Sequence, residues 1–227
     1  GLVQWLQRAH LTYTPFSFWE DQKFYVEMVV EKVDLKSLFG PITEEFHIPI
    51  QNAGGWSDIN GRAALMKRFA YWEANGKKCV LLYCGDFDPG GLHISDSIRS
   101  NLEDISKNID WWPDDLIIDR FGLTYEFIEE QGLSWIDNLE TSSGGRLDDP
   151  EHPDHLKSYV QEYLARYGAR KVEANALVVR PQAGRDLCRQ AILKYVFANA
   201  PAKYEKRLAP ERRKVQRAIR AKLEGAR

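Results

Sequence analysis

Three carboxylates in this sequence are spaced for metal chemistry. Asp86 and Asp88 flank a single residue in Gly85-Asp86-Phe87-Asp88-Pro89-Gly90-Gly91, directly after the apolar run Cys79-Val80-Leu81-Leu82-Tyr83-Cys84. In an extended segment, alternate side chains point to the same side, so the two carboxylates would stand next to each other. Neighbouring unpaired carboxylates repel, and a hard divalent cation is the usual remedy. Taken alone, an Asp-x-Asp is also a turn former, and Asp88 could simply cap a helix beginning near Gly90. Glu31 adds weight, because it closes a second buried-looking strand, Phe24 to Val30. In open α/β sheets, ligands bind outside the carboxyl ends of the strands. The expectation is a Mg²⁺ or Mn²⁺ site built from Glu31, Asp86 and Asp88.

The elements that must position these residues alternate along the chain. After the first strand, Asp34 is expected to cap a helix through Leu35, Leu38 and Phe39, and His47-Ile48-Pro49-Ile50 reads as a second short strand. A flexible loop, Asn52-Ala53-Gly54-Gly55, leads to a helix capped by Ser57 or Asp58 that stops near Asn75-Gly76. The third strand precedes the acidic loop. A helix follows with Leu92, Ile94, Ile98 and Leu102 on one face, and then a strand around Leu116-Ile117-Ile118. Thr124 begins a short helix that ends before Gly132, and residues 141–153 form a surface loop. Helices are expected over 154–167, 182–197 and 203–224. Strand–helix–strand alternation predicts an α/β fold with a mainly parallel sheet flanked by helices and a helical C-terminal extension. The expected divisions are a leader at 1–23, reading as the remnant of an upstream domain, an α/β domain at 24–199, and a basic helical tail at 200–227.

Composition narrows the class. With 44% hydrophobic and 28% charged residues among 227, the chain is ordinary for a globular protein and excludes a disordered or fibrous one. It has no apolar run near the roughly 18 residues of a membrane span and no basic-then-apolar signal peptide. Three unpaired cysteines, Cys79, Cys84 and Cys188, fit a reducing compartment, so a cytoplasmic or, in a prokaryote, nucleoid-associated protein is expected. The net charge of −2 is unevenly spread. Residues 200–227 carry ten Lys or Arg against three Glu, a local +7 that leaves −9 on the remainder. Such a segment is suited to neutralising phosphates, although a solvated basic helix has the same composition.

Taken together, Val30-Glu31-Lys32 and Gly85-Asp86-Phe87-Asp88-Pro89-Gly90-Gly91 resemble the topoisomerase–primase (Toprim) domain. The closer resemblance is to the A subunit of type IIB topoisomerases (topoisomerase VI) and the related meiotic double-strand-break protein. Arg120-Phe121-Gly122-Leu123-Thr124, Glu129-Glu130-Gln131-Gly132-Leu133 and Lys171-Val172-Glu173-Ala174-Asn175-Ala176-Leu177 are similar to further segments of that family. The resemblance implies that Glu31, Asp86 and Asp88 are both catalytic and metal-binding, with Mg²⁺ as cofactor and Mn²⁺ as substitute. It also implies DNA as partner, a homodimer and an ATPase partner subunit.

One departure bears on mechanism. In that family a Tyr on an upstream winged-helix domain attacks the phosphodiester. Fewer than 30 residues precede the Glu31 strand here, and Tyr13 is the only candidate among them. The leading expectation is therefore metal-dependent hydrolysis of DNA. The alternatives are a fragment of a type IIB A subunit or double-strand-break complex lacking its tyrosine domain, and an inactive Toprim module that binds DNA or acts as a scaffold. Lys32, the backbone of Gly54 and Gly55, and Arg62, Lys67 and Arg68 are the candidate nucleic-acid contacts. Glu173 is a supplementary carboxylate or an exposed strand residue, and His93 has no visible partner.

Overall fold

The computed structural model describes residues 2–52, 58–141 and 144–224. In chain order the helices are α1 (Leu2–Arg8), α2 (Val33–Glu45), α3 (Ile59–Ala74), α4 (Pro89–Leu92) and α5 (Ile94–Ile109). They continue with α6 (Tyr125–Gln131), α7 (Ser158–Tyr167), α8 (Pro181–Leu193) and α9 (Ala200–Glu224). The strands are β1 (Phe24–Val30), β2 (Ile50–Asn52), β3 (Lys78–Gly85) and β4 (Ile117–Gly122). The chain divides into two compact units, residues 24–195 and residues 1–23 with 196–227.

The larger unit is built on one sheet in the order β2-β1-β3-β4, with every pairing parallel. Parallel strands connected by helices are covered on both faces, which is why β1 and β3 are almost continuously apolar. Alternation along β1 carries its side chains to both layers. Tyr25 stacks on Trp72 and meets Phe69, both on α3, whereas Phe24 meets Tyr195. Glu27 is the charged exception. It is 1% exposed and is matched by Arg68 of α3 at 2.7 Å through both carboxylate oxygens, with the Tyr25 hydroxyl donating to it at 2.8 Å.

Several element boundaries differ from the expectation. The second strand is Ile50–Asn52 rather than His47–Ile50. His47 has φ 55°, and Pro49 lacks an N–H, so the chain joins the ladder through the Pro49 carbonyl, which accepts from Met28 N. Helix α2 starts at Val33 after Lys32 as N-cap, so Asp34 lies in its first turn. Asp58 caps α3 by accepting from Asn60 N, and Thr124 caps α6 by accepting from Phe127 N. Residues 154–157 are turns ahead of α7, and α8 ends at Leu193. Helix α9 starts at Ala200 and takes Pro201 into its first turn, where a missing N–H costs nothing.

In the smaller unit, Ser17 and Glu20 form a reciprocal cap on the 3₁₀ turn Phe18–Asp21. The Tyr204 hydroxyl of α9 donates to the Phe16 carbonyl at 2.9 Å, and Arg207 lies 3.8 Å over the Phe16 ring. Tyr13 is 41% exposed, and its carbonyl accepts from Arg212. No helix among the described residues is long and apolar enough to cross a membrane.

Candidate metal centre

The strand order explains where a site can form. From β1 the chain moves to β2 on one side, then returns to place β3 on the other side of β1. The connections therefore diverge between β1 and β3, and their carboxyl ends leave a crevice at this switch point. Glu31 follows β1, and Asp86 follows β3. Register brings them together: Val30 pairs with Cys84, and the Glu31 N–H donates to the Cys84 carbonyl at 2.9 Å. The Glu31 carboxylate then accepts the Asp86 N–H at 2.8 Å, with the Tyr83 hydroxyl at 3.4 Å.

Within the acidic loop the expected alternation holds. Phe87 is 2% exposed and packs in an aromatic cluster with Trp135, Tyr163 and Tyr167. Its backbone exchanges hydrogen bonds with Val172 at 2.8 and 3.1 Å, an antiparallel bridge that secures the loop from behind. The Tyr163 hydroxyl lies 2.9 Å from the Phe87 carbonyl. Asp86 and Asp88 instead line a cleft of about 670 Å³ with Glu31, Lys32, Lys171 and Glu173.

Each carboxylate has its own seat. Asp86 is 4% exposed; its Oδ1 accepts the Ala174 N–H at 2.7 Å, and its Oδ2 lies 3.0 Å from Lys32 Nζ. The same ammonium is 3.8 Å from Glu31 Oε1. Asp88 caps α4 by accepting the Gly91 N–H at 2.5 Å, so the capping and cleft-lining readings hold together. Glu173 lies on the cleft wall with its Oε1 3.7 Å from Lys171 Nζ.

The electrostatics match a crowded acidic site. Burial, then the charge of Asp86, raises the pKa of Glu31 above its ordinary 4.5. Burial also raises that of Asp88, with the Gly91 N–H opposing and Asp86 adding to the rise. Burial works against the charge of Lys32, yet the hydrogen bond to Asp86 and the charges of Asp86, Glu31 and Glu173 lift its pKa above 10.5. Lys32 is therefore a cation at any working pH.

Two observations bear on whether a divalent ion suits this place. The donors are hard carboxylate oxygens, the type Mg²⁺ and Mn²⁺ prefer. The cleft also depends on residues without side chains. A Cβ at Gly85 would lie 2.6 Å from Glu31 Oε2, and one at Gly91 would lie 2.1 Å from the Asp86 carbonyl oxygen. The donor set thus fits a hard cation in kind. Its closure on a single point, as expected from sequence, is not found. Among the described residues no group of three or more His, Cys, Asp or Glu meets as a ready-made metal cluster, and the lysine ammonium stands between Glu31 and Asp86.

The remaining candidates separate. Gly54 and Gly55 lie outside the described residues. Arg62, Lys67 and Arg68 are absent from the described cleft lining. Arg68 pairs with Glu27 through Nε and Nη2, so this candidate contact has a structural partner inside the fold. His93 stacks on Tyr159 at 4.7 Å with 4° between the rings, and its Nε2 is 3.2 Å from Asp96. Arg120 was not anticipated as a site residue. It donates to the carbonyls of Gly91, Leu123 and Asp86 at 2.8, 3.1 and 3.1 Å, bracing the acidic loop from β4. Two adjacent charges, Asp119 and Arg120, interrupt the apolar stretch Leu116–Phe121, and that interruption was the available signal. No protein-family model matches the chain, and neither the curated proteins nor the solved structures provide a match.

Proposed function

We propose that this protein cleaves phosphodiester bonds in DNA with the help of Mg²⁺ or Mn²⁺, in the manner of the Toprim enzymes its motifs resemble. The observation that carries the reading is the meeting of Glu31, Asp86 and Asp88 in one cleft at the switch point between β1 and β3. Oxygens of these three residues would hold the cation, which when bound polarises the scissile phosphate and stabilises the leaving oxygen. Glu31 would either complete the metal shell or act as general acid/base, according to whether a second ion is bound. Lys171 and Lys32 supply positive charge for phosphate oxygens on the cleft wall. Hydrolysis, with water as nucleophile, is the reading that draws on groups in this cleft alone.

The test is cleavage of supercoiled, linear and single-stranded DNA in Mg²⁺, Mn²⁺ or chelator. Wild type is compared with Glu31→Gln, Asp86→Asn and Asp88→Asn. Metal-dependent cutting that falls about 100-fold or more in each variant supports the reading. Undiminished cutting in all three, or no metal-dependent cutting of any substrate, overturns it. Product ends distinguish hydrolysis from a protein–DNA linkage, which would point instead to an A-type topoisomerase subunit.

A further inference from the structure

The cleft contains a cation of its own. Asp86 is pinned by the Ala174 N–H on Oδ1, which leaves Oδ2 as the oxygen facing the cleft, and Lys32 Nζ lies 3.0 Å from it. The same ammonium reaches Glu31 Oε1 at 3.8 Å, so it stands between the two acids that the sheet register brings together. Lys32 is also the N-cap of α2, yet its side chain makes no capping bond, so the helix does not hold it there. Its side chain is 32% exposed, whereas that of Asp86 is 6% exposed. The carboxylate is fixed, and the ammonium has a route out.

We propose that Lys32 is a displaceable counter-cation: it holds Glu31 and Asp86 together in the absence of metal and must withdraw before a divalent ion can bind them. This inference rests on the metal-dependent reading above and adds how the site is loaded. An ammonium and a divalent ion at the same carboxylates repel, so they exclude each other. A flexible four-carbon stem allows the ammonium to retreat, and a phosphate oxygen of the proposed substrate would be its next partner. The site is thereby closed to a divalent ion until Lys32 withdraws.

The experiment measures binding rather than activity. Mn²⁺ alone is titrated into the full chain and followed by electron paramagnetic resonance, for wild type, Lys32→Met, Lys32→Gln, Lys32→Arg and Asp86→Asn. Melting is recorded with and without Mn²⁺. If Lys32 competes with metal, Lys32→Met and Lys32→Gln bind Mn²⁺ about tenfold more tightly. They also melt lower than wild type without metal and gain more on its addition, while Lys32→Arg stays close to wild type. Unchanged or weaker Mn²⁺ binding in both neutral variants, with binding still lost in Asp86→Asn, overturns the role of Lys32 and leaves the metal site standing. No Asp86-dependent Mn²⁺ binding in any form overturns both readings.

Discussion

Arg120 Nη2 donates to the backbone oxygen of Asp86 at 3.1 Å, so a guanidinium on β4 holds the main chain of the acidic loop and not its carboxylate. Its Nε takes the carbonyl of Gly91, so both ends of the loop are tied to one side chain, while its Nη1 takes that of Leu123 just past β4. Arg120→Met strands three acceptors in a buried setting and lowers stability by at least about 2 kcal/mol in urea unfolding. Arg120→Lys does not rescue, because a single ammonium cannot span the fork. Wild-type stability in either variant would remove Arg120 from this role.

Adjacent glycines should behave oppositely. An added methyl at Gly91 meets the Asp86 carbonyl oxygen at 2.1 Å, whereas at Gly90 the nearest atom is Asp88 Oδ1 at 3.6 Å. Gly91→Ala therefore displaces the acidic loop, costing about 2 kcal/mol, and abolishes the metal-dependent cleavage proposed above. Gly90→Ala keeps the wild-type midpoint and metal response. The comparison is read by denaturation and by Mn²⁺ titration of the two variants.

Arg68 is expected to matter for folding and not for nucleic acid. Removing it leaves Glu27 buried without its partner, so Arg68→Met destabilises by about 3 kcal/mol. Adding Glu27→Gln to Arg68→Met recovers much of the loss, since the uncompensated charge is gone. The DNA affinity that the proposed function entails, measured by fluorescence anisotropy on the folded single variant, stays at the wild-type value. A selective loss of affinity with unchanged stability would reverse the assignment.

The pH dependence has a definite sign. Glu31 binds its proton more tightly in the folded state, so between its ordinary 4.5 and the raised folded value the native protein carries more protons than the unfolded chain. Stability falls as pH rises through that window, and the penalty persists above it. Glu31→Gln keeps an acceptor for the Asp86 N–H and carries no charge. In chelator at about pH 7.5 it melts a few degrees above wild type, and the gap closes towards about pH 4. A variant that melts lower at neutral pH contradicts this account.

The sequence was legible where burial and chemistry point the same way. Cys79–Cys84 and Phe24–Val30 are apolar because both sheet faces are covered, and the acids at their ends stand out against that background. Thr124 and Asp58 announced their helices through capping chemistry. The second strand was displaced because the N–H of the buried Ile48 is taken by the Thr43 carbonyl in α2, and Pro49 offers a carbonyl only. The structural role of Arg68 was not legible because its partner, Glu27, sits 41 residues away in an apolar strand, and a single sequence does not reveal such pairs. Lys32 was visible as a neighbour of Glu31, but its position over Asp86 depends on the β1–β3 register.

The seat of Asp86 has a consequence for how the molecule comes into being. Its Oδ1 is satisfied by the Ala174 N–H, 88 residues further along, and Phe87 is bridged to Val172. All four strands have left the ribosome well before those partners exist. On a nascent chain the sheet can assemble while the acidic loop is still unclasped, and the cleft is completed only as the segment around Ala174 docks. Maturation of the site is thus a late event in biosynthesis, timed by a segment that contributes backbone to its most buried acid.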